Sequence, residues 1–360
     1  MNIRTLLILI VLIGLGVGGV FIWRNIYVPE KGKIEIEEGV VPAPSTEVQV
    51  YKGIWTPTLL LQDRHYLATN AQKLKDMGID TIFIMAPATQ GEEWLERARE
   101  NFQSSPGLVK KLEEVIPDEK EIITGAIQDA HNNGLKIALT LVTWNPPLGM
   151  EYDTELLSAK IIEYAELAEE YNVELFAPMG EPEKAFGAKT SEWMQEILPK
   201  VREVYHGEIT SEGSAGLPLN QELTDEFFRS VAEGTPGRFA GYDYIGFSPM
   251  WPVEQKTLEE YSEYVELALK YWLAQAERDS CKGIIITEFG VLDGMLVTQQ
   301  ESARAHEIVL EKASKDDRIF GFFANSDFLG LEIQGVPEFS IEENLKTQEV
   351  IKRYFTEILD

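Results

Sequence analysis

LKIALTLVTW (135–144), TELLSAKIIEYAELAEEY (154–171) and VELFAPM (173–179) make one repeat of a pattern that runs down the chain. The outer two runs are short and apolar, as buried parallel strands are. The middle run has a helical period that places Leu156, Leu157, Ile161, Tyr164, Ala165 and Ala168 on one face. Strand, helix and strand in that order is the unit from which parallel sheets are assembled. Further apolar runs lie at 48–55, 79–86, 208–214, 242–250, 283–289 and 319–325. Eight such units over about 310 residues predict an α/β chain whose residues 47–360 close into a single (β/α)8 TIM barrel. An open doubly wound sheet fits less well, because neither a G-x-G-x-x-G turn after the first strand nor a G-x-x-x-x-G-K loop is present.

Punctuation supports the units. Asp118, Thr154, Ser191 and Thr257 are placed to cap helix N-termini, and Gly78 and Gly134 follow helix ends. The fifth unit is the weakest: its strand is polar, and the helix that follows at 223–231 is short.

The first 46 residues read differently. Residues 5–23, TLLILIVLIGLGVGGVFIW, are uncharged and long enough to cross a bilayer as one helix. No small-residue cleavage site follows, so an uncleaved transmembrane anchor is expected rather than a signal peptide. Residues 1–4 would then stay in the cytoplasm. Residues 24–46, with Pro29, Pro42, Pro44 and a run of Glu, read as an extended tether. The expected location is the cell membrane, crossed once, with the barrel on the extracellular side.

Charge and cysteine content narrow the function. The 360-residue chain has 60 acidic and 32 basic side chains, a formal net charge of −28. Nucleic acid is an unsuitable partner, since its binding rests on Lys and Arg neutralising phosphates. A neutral or cationic ligand fits better. Cys281 is the only cysteine, so an intrachain disulfide is impossible, and it reads as an inert, partly covered thiol. His65, His131, His206 and His306 lack metal-ligand spacing, so no metal and no cofactor is expected.

A barrel of this kind builds its active site at the C-terminal strand ends. Those ends carry Glu181 and Glu288, and Trp55, Trp144, Asn145, Glu212, Met250, Trp251 and Asn325 as expected substrate contacts, with Asp327 just beyond. Two carboxylates facing each other below aromatic side chains suit glycosidic bond cleavage. One protonates the leaving oxygen, and the other attacks the anomeric carbon or activates water. Glu181 and Glu288 come from strands four and seven, close enough across a barrel to approach to about 5 Å, the spacing of a retaining mechanism. Pro182 should push Glu181 toward an extended backbone. Trp55, Trp144 and Trp251 would stack on sugar faces, while Trp193 and Trp272 lie within helices and read as packing residues. Each assignment has a plainer alternative, a Trp as a core cap or a Glu as an ion-pair partner.

MGEPE at strand four, IITEFG at strand seven and YDYIGFSPMWP at strand six together resemble motifs of a large glycosidase clan. Its members are (β/α)8 barrels with catalytic glutamates on strands four and seven, and the likeness is nearest its endo-β-1,4-mannanase and endo-β-1,4-galactanase branches. The resemblance implies a retaining mechanism on a β-linked oligo- or polysaccharide, with Glu181 as acid/base and Glu288 as nucleophile. Three positions depart from the clan pattern. Gly180 stands where the clan has an Asn that holds the sugar 2-hydroxyl, Met250 where it has a Tyr, and Asn325 where it has a Trp. The alternative is a non-catalytic glycan-binding or scaffold barrel of the same fold. A lyase or aldolase would want a Schiff-base Lys at a strand end, and the strand ends named above carry none.

Overall fold

The computed structural model describes residues 50–57, 66–87, 119–142, 153–182, 186, 189–213, 239–251, 256–291, 297–325 and 344–359. The segment 5–23, the tether, Trp144, Asn145, Asp118, His65 and the helix expected at 223–231 lie outside them. Among the described residues, no helix is long and apolar enough to cross a membrane.

The barrel strands are β1 (Tyr51–Pro57), β2 (Thr81–Pro87), β3 (Lys136–Val142), β4 (Leu175–Gly180), β5 (Glu208–Ile209), β6 (Tyr244–Phe247), β7 (Gly283–Val291) and β8 (Ile319–Asn325). They pair in the order β5-β4-β3-β2-β1-β8-β7-β6, every pair parallel. Met250–Trp251 resumes beyond β6 and pairs with the end of β7. The seam between β5 and β6 is narrow. A single parallel bridge, Thr210↔Tyr244, crosses it, flanked by the Asp243 N–H to Ile209 carbonyl bond at 2.9 Å and Ser211 N–H to Tyr244 carbonyl at 3.2 Å. These bonds close the ring, so the barrel expected from the repeat count is the fold found. β5 is much shorter than the expected run of 208–214. It makes only isolated bridges beyond Ile209, at Thr210 and Glu212.

Seven α-helices are described: α1 (Tyr66–Asp76), α2 (Glu119–Asn132), α3 (Thr154–Glu170), α4 (Thr190–Val204), α5 (Leu258–Arg278), α6 (Gln299–Ala313) and α7 (Leu345–Arg353). Thr257 caps α5 as expected, in a reciprocal box with Glu260. Two caps differ from expectation. Asp153, not Thr154, caps α3, its carboxylate accepting from the N–H groups of Glu155 and Leu156 at 3.0 Å each. Ser191 already lies inside α4, which follows Lys189 with no side-chain cap. Gly78 and Gly134 do terminate helices, at φ +77° and +69°, where other residues are strained.

Alternation sorts the strand residues into two cores. Tyr51, Phe83, Ala138, Leu175, Ala177, Tyr244, Ile285 and Phe323 fill the lumen, with Trp55 and Phe320 partly buried against them. Ile82, Ile84, Ile137, Leu139, Phe176, Ile284 and Ile286 point outward into a second, larger core shared with the helices. Gly53 is required in the lumen, because a Cβ there would overlap the Phe323 ring. Trp193 and Trp272 are buried in the outer core, as read from their helical positions. Leu156, expected on the buried face of α3, is 45% exposed. The buried stripe centres on Leu157, Ile161, Tyr164 and Ala168, and Leu156 lies about 100° round the helix from it.

Candidate active site at the barrel mouth

Both glutamate-bearing strands carry an irregularity at the glutamate, just before Glu181 on β4 and across Glu288 itself on β7. On β4, Ala177 pairs with Thr140 but Gly180 pairs with Val142, so β4 holds one residue more than its neighbour. On β7, Ile286 pairs with Phe322 but Phe289 pairs with Ala324, and again β7 has the extra residue. Bulges of this kind re-aim side chains at barrel rims. Ile284, Ile286 and Phe289 all face the outer core, and the extra residue between the last two frees Glu288 from strict alternation. Glu288 is half-buried, and Asn325 Nδ2 donates to its Oε1 at 2.6 Å. Asn325 lies two residues past the lumen residue Phe323 and pairs with Trp55 of β1. Glu288, Asn325 and Trp55 therefore gather at one side of the mouth.

Glu181 leaves the end of β4 at φ +48°. This corrects the extended conformation expected ahead of Pro182. A non-glycine residue in the left-handed region is uncommon, and such backbones cluster at functional sites. What holds it is tertiary: its N–H donates to the Glu212 carbonyl at 3.0 Å, beside a parallel bridge between Gly180 and Glu212.

Glu212 is 2% exposed. Its Oε1 accepts from Ser248 Oγ at 3.5 Å, and Ser248 Oγ lies 3.2 Å from Thr287 Oγ1. Ser248 and Thr287 were invisible to sequence reading, since hydroxyl residues in strands are common and no motif marks these two. Going round the arc from β4 to β8, the described polar groups at the mouth include Glu181, Glu212, Ser248, Thr287, Glu288 and Asn325.

One expected sugar contact falls elsewhere. Trp251 is buried, its Nε1 donates to the Lys256 carbonyl at 2.8 Å, and its ring centroid is 6.3 Å from that of Tyr261. It belongs to the helix-facing core rather than the mouth, because the outer side of β6 must be covered by α5. Met250, also expected as a sugar contact, is buried beside Gly290 near the C-terminal end of β7. Trp55 does reach the mouth, partly exposed on the lumen face of β1.

Behind β7, His306 of α6 is buried with its Nδ1–H on the Ser302 carbonyl at 2.8 Å, and its ring meets the Phe289 edge. Burial pulls its pKa down to about 4, so at neutral pH it is an uncharged wedge under Gly290. Cys281 is half-buried, its Sγ donating to the Phe239 carbonyl, and burial pushes its thiol up to about 12. It is unreactive at neutral pH. Among the described residues, no group of three or more His, Cys, Asp or Glu side chains is disposed to hold a metal ion.

No family model matches the sequence, and no curated protein matches it either. Solved structures do share the fold. A GH113 β-mannanase from Alicyclobacillus acidocaldarius is similar with a TM-score of 0.56 at 13% identity, over 87% of this chain and 99% of that one. A hyperthermostable endo-1,4-β-D-mannanase from Thermotoga petrophila gives 0.60 at 11% identity, over 85% and 99%. The endoglucanase Cel5A of Pseudomonas stutzeri gives 0.50 at 12% identity, over 82% and 85%. At such identities the likeness is one of fold.

Proposed function

We propose that the chain is a retaining glycoside hydrolase of β-linked glycans, with Glu181 as acid/base and Glu288 as nucleophile. The observation that carries this reading is the placement of the two glutamates. Glu181 directly follows the bulge on β4, Glu288 lies within the bulge on β7, and both stand toward the C-terminal mouth of one barrel. The amide of Asn325 donates to Glu288, which suits a carboxylate that must be ionised to attack. Glu181 would protonate the leaving oxygen, then activate the water that releases the glycosyl-enzyme. Trp55, on the lumen wall of the mouth, is placed to stack on a sugar face. The fold is shared with structures named as β-mannanases, which makes β-1,4-mannan the first polymer to test. The helix expected at 5–23 would hold the barrel at the outer face of the cell membrane.

The test is chemical rescue. Glu288→Ala should abolish turnover, and azide should restore it with product of inverted configuration. Glu181→Ala should still be loaded by aryl glycosides with good leaving groups, and azide should then give product of retained configuration. Full activity after either replacement would overturn the assignment. Glycan binding without turnover by the unaltered chain would identify a non-catalytic barrel instead.

A further inference from the structure

Gly180 and Glu212 share one space. A Cβ on Gly180 would overlap Glu212 Oε2, with Val142 Cγ1 at 2.8 Å on the other side. The carboxylate from β5 thus fills the room that a side chain at position 180 would take. It is buried there, in a slot walled by the residue that directly precedes Glu181. The main chain of Glu212 meanwhile accepts the Glu181 N–H at 3.0 Å, the described bond that secures the left-handed turn. At its far end the carboxylate meets Ser248 and, through it, Thr287, the residue before Glu288. The Ser248 contact is at the long limit for a hydrogen bond, so packing on Gly180 and the main-chain bond are the stronger links.

We propose that Glu212 is a positioning residue for Glu181: its side chain, seated against Gly180, fixes the main chain that holds Glu181 in its left-handed turn and so aims the acid/base across the mouth. The proposal rests on the assignment of Glu181 given above. Glycine at position 180 is then a requirement of Glu212, and the two form one unit. Removing either partner should disturb the same geometry, and removing both should cost no more than removing one.

The full chain, solubilised from membranes, serves for the test. Glu212→Ala should lower kcat about 100-fold with KM within about twofold, as misplacement of a reacting group by about 1 Å does. Glu212→Gln, which fills the same slot, should recover most of that loss. Gly180→Ala should match Glu212→Ala, and the double variant should be no worse than either, because coupled sites are not additive. Crystal structures of the Glu212→Ala and Gly180→Ala variants should show residue 181 out of the left-handed region. Additive losses would overturn the proposal, as would a Glu212→Ala variant with wild-type kcat and Glu181 still near φ +48°. Should Glu212→Ala fail to fold, Gly180→Ala and Glu212→Gln decide by the same two readouts. Should the unaltered chain cleave no glycan, the hydrolase reading falls, and the conformation of residue 181 in the variants still decides this one.

Discussion

At the opposite end of the barrel from the mouth, Glu208 pins the shortest strand in place. Its Oε2 accepts from Tyr51 Oη of β1 at 2.7 Å, and its Oε1 accepts from Tyr244 Oη of β6 and from Lys282 Nζ at 2.8 Å each. Glu208→Ala would leave two phenols without their acceptor, at 5% and 3% residue exposure. A buried donor that loses its partner costs about 1–3 kcal/mol. Lys282 is half exposed, and its contact adds under about 1 kcal/mol. The sum is about 2–7 kcal/mol, and about 3 kcal/mol once water enters the vacated space to satisfy part of the need. For a barrel of this size that lowers Tm by about 6 °C. Differential scanning calorimetry at neutral pH would read it, with Lys282→Ala as the control for the exposed pair. Replacing both tyrosines by Phe in the Glu208→Ala background should win back stability, because no donor is then orphaned. A loss no larger than that of Lys282→Ala would refute the reasoning.

The buried tyrosines predict alkaline lability. Burial holds the phenols of Tyr51, Tyr164, Tyr205, Tyr242, Tyr244, Tyr261 and Tyr264 above their ordinary value of 10.0. Because the folded values are raised, their stabilisation is complete below pH 10 and is lost as pH rises above it. At pH 11 each opposes folding by about 1 kcal/mol, so several together rival the stability of a whole domain. Phenolate absorbance should therefore appear together with loss of circular dichroism near pH 11, and phenolate formed while the dichroism stays native would contradict this. The anchor expected at 5–23 makes a separate prediction: the protein should stay with membranes through a carbonate wash, and external protease should release a folded barrel by cutting within 24–46. A soluble mature chain beginning near Phe21 would show a cleaved signal peptide instead.

Much of the barrel was legible in the residues. Buried parallel strands must be apolar on both faces, so runs such as 135–144 and 319–325 announce themselves wherever they lie. Glu181 and Glu288 could be placed at strand ends for the same reason, since a charged residue closing such a run marks where the strand leaves the core. The Thr257 cap and the helix-ending Gly78 and Gly134 are local matters of backbone geometry, and a few neighbouring residues decide them.

What periodicity could not reveal is how one strand registers against the next. The bulges on β4 and β7 exist only as a mismatch with β3 and β8, and they re-aim the two glutamates. Trp251 looked like a rim residue because it ends a run, yet whether its ring meets the mouth or α5 depends on which face β6 turns to that helix. Pro182 argued for an extended Glu181, and a hydrogen bond from its N–H to the carbonyl of a residue 31 positions away along the chain overrules it. Asn325 against Glu288, and Glu212 in the space beside Gly180, join residues 37 and 32 positions apart. Local propensity therefore determined which segments became strands and helices and which glutamates stood at their ends. Only the closed ring determined where those glutamates point, because their aim is set by contacts between segments that are distant in sequence.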